Sequence, residues 1–120
     1  MKFLSDEWVQ ALTQAFDREE IADVEVVIQQ VVTGGPDGEV AYWLAFKGGE
    51  VSGAVGRAEA PDVTITQDHA TAVDLANSEL NAQAAFMQGK LKVTGNMGKL
   101  LQHQGAIQAM GPAMSSLEGV

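Results

Sequence analysis

The sequence predicts an α+β fold, and three observations support this class. Apolar residues recur at helical spacing between Trp8 and Phe16. Between Ile21 and Ile65, apolar and polar residues instead alternate in runs separated by glycine-rich turns, as is typical of half-buried strands. After Asn96 the helical spacing returns. Helices before and after a run of strands indicate a sheet with helices packed against it.

The first helix is predicted to begin at Ser5, whose hydroxyl can cap it, while Asp6 and Glu7 interact favourably with the helix dipole. Its apolar stripe has the width of a face that packs on a sheet, which is the favoured interpretation. Contact of this stripe with a ligand is the alternative. The stripe consists of Trp8, Ala11, Leu12, Ala15 and Phe16.

A strand hairpin is predicted from the two-residue period that begins at Ile21. Residues 34–38, Gly-Gly-Pro-Asp-Gly, have the chemistry of a turn, and Val40 to Lys47 form the returning strand. Cross-strand pairs on one face indicate the register. With Ile28 opposite Leu44, the same face also pairs Val26 with Phe46, Gln30 with Tyr42, and Val32 with Val40.

A second hairpin is predicted at Gly48-Gly49, after which Val51, Gly53 and Val55 continue the same inner face. A glycine in the middle of a strand marks a bulge or a close approach of another group. We favour a bulge or bend at Gly53, and room for a ligand is the alternative.

The opposite face of these strands is more apolar than exposure to solvent requires. Trp43 lies on it between Ala41 and Ala45 in the alternation. Single exposed apolar residues are ordinary, but this group is also a candidate homodimer contact.

The second half of the chain is predicted to alternate short strands and helices. Residues 61–66 form a strand, Asp68 caps a helix that ends at Asn77-Ser78, and Asn81 caps another that ends at Gly89. Residues 90–94 form a fifth strand.

The last helical segment begins at Asn96 and is interrupted at Gly105 and Gly111-Pro112. Three of the chain's five methionines lie in this segment, and methionine adapts to irregular apolar shapes. A lid over an apolar cavity and a terminal helix that closes the core both fit this pattern.

Composition and motifs exclude several classes of function. With 16 acidic and 7 basic residues the net charge is −9, which makes nucleic acid a poor partner. The chain has no cysteine, its two histidines, His69 and His103, are far apart, and it has no phosphate-binding loop or nucleophile elbow. We expect no enzyme activity, no cofactor and no metal site.

Nothing in the chain indicates a targeting or membrane-spanning segment. Ser5-Asp6-Glu7 interrupts the apolar start of the chain, and no run approaches the length of a membrane span. We therefore expect a cytoplasmic protein without stable membrane insertion, in which residues 1–120 form one domain.

The stretch between Phe86 and Leu100 resembles a known family. Residues 86–92, Phe-Met-Gln-Gly-Lys-Leu-Lys, followed by Gly95, Met97-Gly98 and Leu100, closely resemble the signature of the sterol carrier protein type 2 family of lipid-binding domains. The resemblance extends colinearly upstream through residues 60–65 and is absent from the first twenty residues.

The chain resembles a stand-alone, prokaryotic-type member of this family. The resemblance implies a five-stranded, mainly antiparallel sheet with helices that cover one face and enclose a hydrophobic cavity. It also implies non-covalent binding of a lipid or other elongated apolar molecule: a fatty acid, acyl-coenzyme A, phospholipid or isoprenoid fits as well as a sterol. The candidate lipid-binding residues are Leu44, Phe46, Phe86, Met87, Leu91, Val93, Met97, Leu100 and Leu101.

Polar residues in the same stretch are candidates for contact with the ligand's head group. Gln88 is the candidate orienting contact. Lys90, Lys92 and Lys99 form a candidate cationic rim that attracts a carboxylate or phosphate, although solvated positions on a strand face are the simpler interpretation. The chain departs from the family at Asn96, where an acidic residue is expected, and in the tail after Leu101.

Two other functions remain open at this point. One is a small interaction module of the same fold with a closed cavity, which dimerises or docks on an enzyme through the face that carries Trp43. The other is an enzyme component that presents a bound lipid to a catalytic partner.

Overall fold

The structure is a computed structural model that describes residues 4–16, 18–19, 21–36, 38–77, 79–80, 82–103, 113 and 117, with residues 82 and 83 described by backbone alone. Its elements follow the predicted alternation. In chain order they are α1 (Asp6–Thr13), β1 (Val26–Gly35), β2 (Gly38–Lys47), β3 (Glu50–Val55), β4 (Val63–Asp68), α2 (His69–Ala76), α3 (Ala82–Met87), β5 (Lys92–Gly95) and α4 (Met97–Gln102).

The five strands form one sheet in the order β3-β2-β1-β4-β5. β1 and β4 run parallel, and every other neighbouring pair is antiparallel. The chain makes a meander of three strands and then crosses to the far side of β1, which is why β4 pairs in parallel. The predicted five-stranded, mainly antiparallel α+β fold is confirmed.

The predicted hairpin registers are also confirmed. Ile28 lies opposite Leu44, and Leu44 lies opposite Gly53. At the second hairpin, Gly48 and Gly49 have φ angles of 58° and 81°, which a two-residue turn between twisted antiparallel strands requires.

Helix α1 packs on the inner face of the sheet, as its apolar stripe predicts. Ser5 caps it, and the Ser5 hydroxyl accepts a hydrogen bond from the Trp8 backbone N–H at 3.2 Å. Two edge-to-face aromatic contacts join this part of the chain to the sheet: Trp8 of α1 with Tyr42 at 5.6 Å, and Phe16, three residues after α1, with Phe46 at 5.1 Å between ring centroids. Helix α1 itself buries Trp8, Val9 and Leu12, so its apolar side chains belong to the core.

Gly53 does not mark a bulge, because the β2–β3 pairing continues through it without a shift. A Cβ at this position would lie 2.9 Å from Leu44 Cδ2 and 3.4 Å from Thr13 Cγ2. The Gln10 side-chain amide also donates to the Gly53 carbonyl at 2.8 Å. The glycine therefore allows α1 to approach the strand closely, and the space that the missing side chain leaves is occupied by the protein itself.

The first strand begins at Val26, five residues later than its alternation predicts. Ile21 and Val24 are buried, but the Val24 N–H donates to the Ile21 carbonyl at 3.0 Å in a turn. Their apolar character reflects burial in the core rather than pairing in the sheet. The last strand likewise begins at Lys92 instead of Lys90.

The outer face of the sheet is partly covered by the crossover between β3 and β4. The Ala58 N–H donates to the side-chain oxygen of Gln29 at 2.8 Å, and Gln29 is buried on this face. Trp43 is half-buried there. The predicted cap at Asn81 and the interruptions at Gly105 and Gly111-Pro112 lie outside the described residues.

Candidate functional site

The segment that resembles the family signature forms a joint of helix, strand and helix. Helix α3 has Met87 as its last residue and is terminated at Gly89, whose φ is 75°. The N–H groups of Gly89 and Lys90 donate to the carbonyls of Phe86 and Ala85 at 3.1 and 2.9 Å, which is a Schellman motif. The glycine predicted to end the helix does so through this motif.

The other end of the joint is held against the start of β4. The side chain of Asn96 caps α4 by accepting a hydrogen bond from the Lys99 N–H at 3.0 Å. The Asn96 N–H donates to the Asp62 carbonyl at 2.8 Å. Gly95 adopts φ 113°, and a Cβ there would collide with the Asp62 carbonyl. The chain can therefore turn from β5 into α4 only with a glycine at this point.

One of the three lysines of the predicted rim, Lys99, forms an ion pair. The Lys99 ammonium lies 3.2 Å from the Asp62 carboxylate, whose Oδ2 also accepts the Val27 N–H at 2.8 Å. Lys90 and Lys92 are exposed. Because side chains alternate along a strand, Lys92 lies on the opposite face of β5 from Val93. The structure thus places Lys99 in an ion pair that joins α4 to the sheet.

Large apolar side chains are exposed mainly on the two helices of this joint. Among the described residues, five large hydrophobic side chains are exposed, and four of them belong to α3 or α4. These four, which we call the apolar patch, are Phe86 at 52%, Met87 at 80%, Met97 at 41% and Leu101 at 64% exposed. The fifth, Val55, lies on β3 at the other edge of the sheet. All four patch residues were predicted to bind lipid.

The other predicted lipid-binding residues lie inside the protein. Within the joint, Leu91 is buried, and Val93 and Leu100 are partly buried against the core. Leu44 and Phe46 are fully buried on β2, which β1 and β4 separate from β5. The structure therefore leaves the patch exposed, places Leu91, Val93 and Leu100 against the core, and places Leu44 and Phe46 beneath α1.

Gln88 is exposed directly after α3, and its N–H donates to the Ala84 carbonyl at 3.0 Å. Its side chain is therefore available at the C-terminal end of α3. It lies next to the apolar patch rather than within the core.

A buried pair of glutamines on the inner face was not predicted. Gln67 Nε2 donates to Gln30 Oε1 at 2.7 Å, and both side chains are buried. The signal was present in the alternation, because Gln67 follows Val63 and Ile65 on the inward-facing positions of β4. Continuing that period by two residues would have identified it.

A separate cleft of about 750 Å³ lies between the end of α1 and the β2–β3 hairpin. Buried Phe16 and Ile21 contribute to its lining, and Arg18, Lys47 and Glu50 add charged groups. This mixed lining lacks the continuous apolar wall that an elongated apolar molecule needs.

The pKa shifts of two ionisable groups, Tyr42 and Asp68, have structural causes. Burial raises the pKa of the Tyr42 hydroxyl, which lies under α1. The Asp68 carboxylate caps α2 by accepting a hydrogen bond from the Thr71 N–H, and this hydrogen bond lowers the pKa of Asp68.

Within the described part of the chain, no group of three or more acidic or histidine side chains is arranged to hold a metal ion. No described helix is long and apolar enough to cross a membrane.

Comparison with known proteins identifies related sequences and folds. The model of the SCP-2 sterol transfer family matches residues 9–108. Sterol carrier protein 2 of Gallus gallus is 41% identical over 71 residues, which cover 58% of this chain and 13% of that protein. Peroxisomal multifunctional enzyme A of Dictyostelium discoideum is 48% identical over 59 residues, which cover 48% of this chain and 13% of that protein. The chain thus spans about an eighth of the length of these relatives.

A crystal structure of sterol carrier protein 2 has the same fold. It superposes with a TM-score of 0.81 at 22% identity and covers 97% of this chain and 99% of that one. The matching region therefore occurs in proteins named as carriers and also as part of a protein named as an enzyme.

Proposed function

This chain belongs to the SCP-2 sterol transfer family, and from that membership we propose that it binds and transfers a lipid or other elongated apolar molecule without catalysing a reaction. The observation that carries the proposal is the apolar patch, since four of the five exposed large apolar side chains among the described residues lie on two successive helices, α3 and α4. Large apolar side chains that are exposed together in this way are candidates for a binding surface.

The patch borders an apolar interior. Leu91, Val93 and Leu100 lie against the core on the same joint. A ligand that covers Phe86 and Met87 and contacts these inner residues would remove apolar surface from water, which contributes about 25 cal/mol per Å². Apolar burial of this kind is sufficient to bind a lipid chain without charged groups in the interior.

Both helices that carry the patch are short. α3 and α4 have six residues each. Isolated helices shorter than about 12 residues are marginal in water, so these helices depend on their packing. Ala85 is fully buried and provides such packing for α3. We propose that a ligand enters between α3 and α4 and that Leu44 and Phe46 form the deep end of the path.

The polar groups around the patch have a supporting role in this proposal. Exposed Lys90 and Lys92 follow α3 and attract an anionic head group, while Gln88 provides a hydrogen bond at the mouth. Lys99 acts mainly through its ion pair with Asp62. The names of the relatives support lipids as a class, and the ligand itself is left to experiment.

The test is to purify the protein natively and to analyse an organic extract by lipid mass spectrometry, followed by titration with a fluorescent fatty acid. Stoichiometric lipid, or saturable binding at micromolar concentration, is the expected result. Protein that is free of lipid and does not bind the probe would contradict the proposal. Fluorescence microscopy of the tagged chain tests our further proposal that this binding takes place in the cytoplasm.

The outer sheet face gives a second proposal, self-association through Trp43. This indole is only half-buried between Ala41 and Ala45. Light scattering of the wild-type protein and of Trp43→Ser distinguishes the functions. A lipid-free dimer that the substitution dissociates would favour an interaction module over a carrier.

A further inference from the structure

The Gln30–Gln67 pair is an unusual feature of the inner sheet face, because Gln67 Oε1 has no hydrogen-bond partner in the described part of the chain. The two side chains are 4% and 6% exposed. Gln67 Nε2 donates to Gln30 Oε1, but Gln67 Oε1 has no hydrogen-bond partner among the described residues. Buried side-chain oxygens are nearly always paired, so an unpaired one needs a physical explanation.

With the Gln30 amide oriented as in the structure, the chemistry of the pair determines which atom of Gln67 is unpaired. An amide has one acceptor oxygen and one donor nitrogen. Reversing the Gln67 amide would bring its oxygen to the atom that now lies 2.7 Å from Gln30 Oε1, and two oxygens at that distance repel each other. The existing contact therefore leaves an oxygen free, and a free oxygen accepts a hydrogen bond from an O–H or N–H group.

The sheet register places Gln67 next to the inner residues of the proposed lipid site. Gln67 lies opposite Val32 on β1 and directly follows Thr66, whose partner on β5 is Lys92. Antiparallel pairing continued by one residue brings Gln67 level with Leu91. Gln30 lies opposite Ile65, which in turn lies opposite Val93. The pair thus adjoins the inner residues of the joint between α3 and α4.

We propose that Gln67 Oε1 accepts a hydrogen bond from the terminal hydroxyl of an apolar ligand, which makes long-chain alcohols the preferred ligand class. This inference rests on the proposed function, because it takes lipid binding as given. An ionised carboxylate has only acceptor atoms and cannot pair with this oxygen. An alcohol supplies the missing donor while its chain remains in apolar surroundings.

The test compares two probes that differ in the donor. 1-Hexadecanol and 1-fluorohexadecane have nearly the same size, but only the alcohol donates a hydrogen bond. Their dissociation constants are measured by displacement of a bound fluorescent fatty acid, and the readout is the ratio of the two constants in each variant. Intrinsic differences in the water solubility of the probes cancel when this ratio is compared between variants.

Gln67→Met should shift the ratio against the alcohol by roughly tenfold, the effect of losing one buried hydrogen bond. Gln30→Met/Gln67→Met should do the same, and it removes both amides together in case the single variant folds poorly. Gln29→Met is the matched control. Gln29 is as buried as Gln30 and lies on the same strand, β1, but it faces the other side of the sheet, and its side-chain oxygen already accepts the Ala58 N–H.

Two results would overturn the inference. The first is an unchanged ratio in Gln67→Met and in the double variant, and the second is an equal shift in Gln29→Met. If both probes bind with the wild-type ratio in every variant, only the hydroxyl preference fails. If neither probe nor the fluorescent fatty acid binds the wild-type protein, the proposed function fails and this inference fails with it.

Discussion

The Asp62 carboxylate lies 3.2 Å from the Lys99 ammonium and also accepts the Val27 backbone N–H at 2.8 Å. One side chain thus joins the start of β4 to β1 and to helix α4. The two contacts differ in kind, since the side chains of the ion pair are 30% and 27% exposed, whereas the hydrogen bond satisfies a part-buried backbone N–H of β1. They should therefore differ in energy.

Asp62→Ala is expected to lower the free energy of unfolding by about 1–3 kcal/mol, because it leaves the Val27 N–H unpaired. Lys99→Met should cost less than about 1 kcal/mol, as is usual for a solvent-exposed ion pair. Urea denaturation of both variants measures the difference. Equal losses would show that the ion pair, and not the backbone hydrogen bond, dominates at Asp62.

Gly53→Ala should destabilise the protein by about 1–3 kcal/mol, because the new methyl group overpacks the contact between β3 and α1. It would lie 2.9 Å from Leu44 Cδ2 and near the fixed Trp43 carbonyl. Gly98→Ala is the control, since this glycine is inside helix α4 with its nearest neighbour at 3.4 Å. There alanine should be neutral or stabilising by up to about 1 kcal/mol. Thermal unfolding that ranks the two variants in the opposite order would contradict the close approach.

The buried Tyr42 hydroxyl gives a prediction about alkaline pH. Burial raises its pKa in the folded protein above the ordinary value of 10.0. Above that ordinary value the unfolded chain loses the proton while the folded protein keeps it, so stability falls as pH rises. Tyr42 is the only tyrosine, so absorbance of tyrosinate reports on it alone. Tyrosinate should form together with unfolding, and Tyr42→Phe should weaken the loss of stability above about pH 10. Reversible ionisation in the folded protein would contradict this.

Phe86→Gln/Met87→Gln should weaken lipid binding by about tenfold, which corresponds to the loss of roughly 1–2 kcal/mol of apolar contact. Both side chains are more than half exposed, so stability should change by no more than about 0.5 kcal/mol. Val55→Gln is the control, because this valine is exposed on the opposite edge of the sheet. Equal weakening by Val55→Gln in the fluorescent fatty-acid titration would remove the apolar patch as the binding site.

The parts of the fold that follow from the sequence are those set by local pattern. The register of Ile28 opposite Leu44 was predicted because the two strands are neighbours and only one register places all apolar residues on one face. The caps at Ser5 and Asn96 and the helix end at Gly89 were predicted for a similar reason, since each depends on atoms within a few residues.

Long-range contacts explain the predictions that were wrong. Burial of Ile21 and Val24 in a turn imitated the alternation of a strand, because burial alone selects apolar residues. The alternation at Gly53 could not reveal that Thr13 approaches it from a helix forty residues earlier in the chain. The ion pair of Lys99 was not predicted either, because only the fold brings Asp62 to this lysine.

The sequence by itself determined the class of fold, the order of its elements, the pairing of adjacent strands and the resemblance to a lipid-binding family, because these depend on residue periodicity and short motifs. Only the tertiary structure decided that β4 pairs in parallel with β1, which brings Gln67 to Gln30 and separates the exposed patch on α3 and α4 from Leu44 and Phe46. These relationships join residues that are distant in sequence. They are set by the crossover of the chain from β3 to β4, since no local pattern specifies which strand a later segment will join.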